Sequence, residues 1–159
     1  MAQRGIATLA AALMLSFLYL THLEAEYFLL HFYQSLIYLA IMLMLFYFEE
    51  QYAYMLGMIA PTVWFAMTYA SGLLGVAARQ IGHLVESQRP TNSVSLMAGF
   101  ITILNVLMFA SCAYLWKREF AGLHKFAKTF VIGVIVVVVY YGILIAVFWQ
   151  VSPGTLSAG

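Results

Sequence analysis

Apolar residues fall in five long blocks along the chain, 6–21, 28–48, 54–78, 94–116 and 129–150, and the polar residues collect in the gaps between them. About 20 helical residues at 1.5 Å each cross the roughly 30 Å hydrocarbon layer of a bilayer. Each block therefore predicts a transmembrane helix, and together they predict an all-α, polytopic bundle of five spans with short loops, a single membrane domain over 1–159. The first block is the shortest and follows Arg4, a pattern shared with signal peptides. The residues after it, "HLEAEY", make a poor small-x-small cleavage site, so the block is read as a span.

The gaps differ in kind. "HLEAEY" and "EEQYA" are short and hold no Gly, Pro, Asn or Asp, which predicts tight turns and a packed antiparallel meander of the first three spans. In "RQIGHLVESQRPTNS" the helix is expected to run on to about Glu86, break at "QRPTN", and restart with Asn92 or Ser93 as N-cap. "KREFAGLHKFAK" alternates basic and apolar residues as an interfacial loop would, and the tail "SPGTLSAG" lacks an apolar anchor. Within the third block, Pro61 with Gly57 predicts a kink; Thr68, Ser71, Gly72 and Gly75, like Ser95 and Gly99 in the fourth, form small-residue stripes that predict helix-packing seams.

Composition agrees with the pattern: 65% of the chain is hydrophobic and 8% charged, against about a quarter charged in an ordinary soluble domain. A net charge of +1 gives nucleic acid no basic surface to bind. Cys112, alone, forms no internal disulfide. With the N-terminus in the cytoplasm, Arg4, Lys117, Arg118, Lys125 and Lys128 lie inside and only Arg79 and Arg89 outside. The basic-residue rule thus predicts a multi-pass protein of a plasma or inner membrane, N-terminus cytoplasmic and C-terminus outside.

In that topology His22, Glu26 and His31 flank the first outer turn, while Arg79, His83 and Glu86 follow one helical face where the third span ends. His31, His83, His22, Glu26 and Glu86 are the candidate ligands, for a metal ion or haem iron, because imidazole and carboxylate bind such metals and Gln34, Tyr38 and Arg79 could orient them. No HExxH, HxxxH or cysteine pair supports the set, and a solvated polar turn is the competing reading. His124 falls in the basic inner loop, apart from the other three histidines. Asn105 stands near mid-span without a charged residue at the centre of any span, which predicts an interhelical hydrogen bond rather than an ion path.

The layout resembles the five-helix, haem-carrying anchors of quinone-linked oxidoreductases in its few loops and several histidines. In those anchors the axial histidines lie within facing spans; here His22 and His31 are at span ends, which implies a haem near the outer surface if any. The expected function is a membrane subunit of a larger redox or energy-transducing complex, serving electron transport, with the lipid bilayer and other membrane subunits as partners. A small metal- or haem-dependent membrane enzyme is the alternative, and a lipid-handling or transport protein a further one.

Overall fold

The computed structural model describes residues 2–47, 50–86, 92–120 and 123–151, and among these it contains helices and no strand. In order they are α1 (Ala2–Leu23), a single 3-10 turn (Ala25–Tyr27), α2 (Phe28–Phe46), α3 (Glu50–Ala70), α4 (Leu73–Val85), α5 (Ser93–Glu119) and α6 (Leu123–Val151). Four of these, α1, α2 with its preceding turn, α5 and α6, are each long and apolar enough to cross a membrane, and the count rises to five if α3 and α4, which meet at a sharp bend, are counted as one span. The protein is an all-α, multi-pass membrane protein with four to five membrane-crossing helices.

α1, α2, α3 and α5 close a four-membered ring in that order, each packing against the next, with α5 returning to α1. Consecutive helices neighbour each other as the tight links predict, but α1 and α3 face each other across a diagonal because α5 fits between them. Both diagonals are bridged. Phe17 of α1 stacks on Tyr38 of α2 at 5.6 Å and meets Trp64 of α3 edge-on at 6.5 Å. Tyr38 also reaches α5, its hydroxyl donating to Asn105 Oδ1 at 2.6 Å, while Asn105 Nδ2 donates to the Ile101 carbonyl at 3.0 Å. Since lipid tails are as apolar as the helices, close packing and such bonds must supply the association energy.

Three glycines mark where backbones approach. A Cβ on Gly57 would lie 2.5 Å from Cys112 Sγ, on Gly99 2.7 Å from Ile81 Cδ1, and on Gly133 2.8 Å from Ile59 Cδ1, so these positions seat α3 on α5, α4 on α5 and α6 on α3. Gly72 and Gly75, expected in a seam, face open space. α6 also touches α2, where the Tyr33 and Tyr140 rings stack at 4.4 Å and each hydroxyl donates to the other residue's backbone carbonyl.

The third block is not one straight span. α3 and α4 meet at an angle of 93°. Pro61 lies inside α3 without ending it; the break comes at Ser71–Gly72. There the last turn tightens, Gly72 N–H donating to the Tyr69 carbonyl at 3.0 Å, and Gly72 takes φ +73°, the left-handed conformation that stops a helix. Asn92 caps α5 as expected, accepting from Val94 N–H at 2.9 Å and Ser95 N–H at 3.1 Å.

The expected basic loop before the last span is also shorter than its charges suggested. α5 continues to Glu119 and α6 begins at Leu123, which puts His124 in its first turn. Trp116 meets Phe126 edge-on at 5.9 Å and Phe126 stacks on Phe130 at 5.7 Å, so aromatic contacts hold this segment in helix. The "QRPTN" break, apart from Asn92, and the tail from Ser152 onward lie outside the described residues, as do Glu49 and Arg89.

Candidate functional site at the His31 rim

The chain reverses between Leu23 and Phe28, and this tight reversal creates the pairing. Glu24 N–H still donates to the Leu20 carbonyl at 2.9 Å, and Tyr27 N–H donates to the Glu24 carbonyl at 3.0 Å. The Glu24 side chain is thereby carried back over the first turn of α2. His31 Nε2 lies 3.0 Å from Glu24 Oε2, and His31 Nδ1 lies 3.4 Å from Gln34 Oε1. The imidazole is nearly enclosed, its side chain 11% exposed, while Glu24 keeps 32% and opens to solvent. Beside them Leu23, Glu24, Ala25, Glu26 and Tyr27 line an open recess of about 360 Å³.

A carboxylate on Nε2 fixes the ring and fills one coordination position, and the longer Gln34 contact covers the other. Metal binding at His31 therefore requires Glu24 or Gln34 to move from its place on the ring. Among the described residues no group of three or more His, Cys, Asp or Glu comes together. What the pair offers as it stands is an oriented imidazole–carboxylate couple whose Glu24 lines the recess, suited to passing a proton or holding a polar group.

His22 is exposed on the last turn of α1, and Glu26 is exposed in the 3-10 turn. His83 and Glu86 belong to α4 and the turn after it, and α4 packs against α5 and α3 but, among the described residues, not against α1 or α2. Arg79 is also exposed, its Nε donating to the Gly75 carbonyl at 3.3 Å. The structure thus gathers Glu24, His31 and Gln34 at the rim and carries His83 and Glu86 on a different helix. Tyr38, aligned below His31 by helical spacing, turns inward to Asn105.

Glu24 is the residue that periodicity passes over. It stands seven positions before His31, but the 3-10 turn intervenes, so helical spacing gives no register between them. The usable signal was the shortness of the link, which leaves its first side chain little room except against the helix that follows. No known protein-family model, curated protein or solved structure matches the chain.

Proposed function

We propose that the protein is a membrane-embedded subunit of a larger redox or energy-transducing complex, whose interior is a scaffold and whose outer faces meet other membrane proteins. The observation that carries this reading is how the buried polar groups are used. Among the described residues those groups are Ser16, His31, Gln34, Ser35, Thr68, Gln80, Ser95, Asn105 and Thr129, with no Asp, Glu, Lys or Arg among them. Ser16, Ser35 and Thr68 bond back to carbonyls of their own helices at 2.6–2.9 Å, and Asn105 ties α5 to α2. Carriers and pumps place ionisable groups inside the bundle; here the one ionisable group in that set, His31, sits at the rim, and Ser16, Ser35, Thr68 and Asn105 serve as fixed links.

The proposed orientation is supported by the ends that the structure brings together. Gln3 of α1 bonds to Glu50 of α3, and Tyr54 of α3 meets Phe120 beyond α5, so Arg4, Lys117, Arg118 and Lys128 share one end of the bundle. That end is the cytoplasmic one on the basic-residue rule, with the His31 rim and the C-terminus outside.

Extraction in mild detergent followed by native mass measurement tests the subunit reading. Fixed-stoichiometry association with other membrane chains, surviving a change of detergent, is expected; a lone 17.8 kDa chain in its native membrane extract overturns it. A second reading, a small metal- or haem-dependent enzyme at the rim, requires Glu24 or Gln34 to leave the His31 ring. On that reading metal or haem copurifies and is lost from His31→Ala, by much more than the 10–100-fold weakening typical of an orienting residue. Full retention of the cofactor in that variant rejects it.

A further inference from the structure

We infer that α4 is a membrane-surface helix, lying in the headgroup–acyl boundary of a lipid bilayer, rather than the end of a transmembrane span or a re-entrant segment. The first observation is direction. α3 has 21 residues, about 31 Å of helix, which by length matches the hydrocarbon layer without α4, and α4 leaves it at 93°. With α3 along the membrane normal, α4 lies in the membrane plane. Tyr69, 77% exposed beside the bend, stands where an aromatic belt residue would.

Depth gives the second argument. α4 crosses α5 at Gly99, with Ile81 Cδ1 seated against it. Gly99 is six residues into α5, about 9 Å below its start at 1.5 Å per residue. With the start of α5 at the headgroup level, that depth matches the roughly 5–10 Å to which amphipathic surface helices settle.

The third is how side chains are distributed around the α4 axis. Ala77 and Gln80 are buried toward the bundle, and Gly75 and Gly82 opposite them have nothing near a would-be Cβ. Of the two remaining flanks, one carries Leu74 and Val85, with Ile81 at its inner edge against α5, and the other Arg79, His83 and Glu86. At about 100° per residue the two stripes are centred roughly 150° apart. One flank therefore suits acyl chains and the other water, while a re-entrant course would take Arg79, His83 and Glu86 into hydrocarbon.

The test uses the full chain in phospholipid vesicles. Single nitroxide labels at Leu74→Cys, Val85→Cys, Arg79→Cys and His83→Cys, in a Cys112→Ala background, report collision with oxygen against a water-soluble nickel chelate. The oxygen-to-nickel ratio should be several-fold higher at positions 74 and 85 than at 79 and 83. Equal ratios on both flanks, or bilayer-centre ratios at all four, overturn the proposal, the latter in favour of a re-entrant segment. On the unsubstituted chain, an arginine-selective dicarbonyl added to sealed-and-opened vesicles should modify Arg79, and a diazirine placed high on a lipid acyl chain should crosslink to 74–85. Protection of Arg79 or absence of that crosslink likewise overturns it.

Discussion

Tyr38 and Tyr141 are both buried tyrosines, yet their hydroxyls stand in opposite situations. The Tyr38 hydroxyl bonds to Asn105 at 2.6 Å, whereas that of Tyr141, 3% exposed, has no hydrogen-bond partner among the described residues. Removing the first strands a buried amide oxygen; removing the second relieves an unsatisfied group. Tyr38→Phe should therefore lower the thermal unfolding midpoint in detergent, at a cost of about 0.6 to 2 kcal/mol for an interhelical bond in a membrane bundle. Tyr141→Phe should leave the midpoint unchanged or raise it, and a loss as large as that of Tyr38→Phe would contradict the assignment. Asn105 was legible in the sequence as one member of an interhelical hydrogen bond because it is a lone amide amid apolar residues. Its partner was not, since Tyr38 also fits the polar stripe below His31 and only the three-dimensional ring places it across from α5. Glu24 was hidden differently, by a turn that resets the helical register between it and His31.

At the scale of elements, the seams depend on glycines whose neighbours are large. Gly57→Ala would press a methyl group against Cys112 Sγ, a close overlap in a packed seam, and overpacking of this kind costs about 1–3 kcal/mol. Cys112→Ala removes the offending sulfur, so the double variant should recover much of the stability lost by Gly57→Ala. Purely additive losses in a double-mutant cycle of unfolding free energies would argue against the α3–α5 contact at this point. Gly72→Ala should cost about 1–2 kcal/mol by another route, since its methyl meets nothing while its backbone is held at φ +73°. The five apolar blocks announced the helices because their lengths match a bilayer. The right-angle break did not show, because "TYASGLLG" stays apolar and small through the bend, and glycine is common in membrane helices. The same smallness made Gly72 and Gly75 look like a seam. Small residues permit both close packing and a turn, and sequence alone does not separate the two.

For the whole molecule, the ring of α1, α2, α3 and α5 is closed without α6, which is fastened at Gly133 on α3 and by the reciprocal Tyr33–Tyr140 clasp on α2. Under mechanical load that arrangement sets an order of failure. Drawn out of a bilayer by its C-terminal end, the molecule should yield in at least two steps. The first should be a low-force release of α6, about the contour length of its 29 residues, and the later ones the rupture of the ring. Tyr33→Phe should lower the force of the first step alone, by deleting one of the clasp's two hydroxyl bonds. A single rupture spanning the whole chain would show that α6 shares the load with the ring. During synthesis the same hierarchy means that α6, which leaves the ribosome after the four ring helices, arrives at a ring already able to close and docks onto it rather than nucleating it.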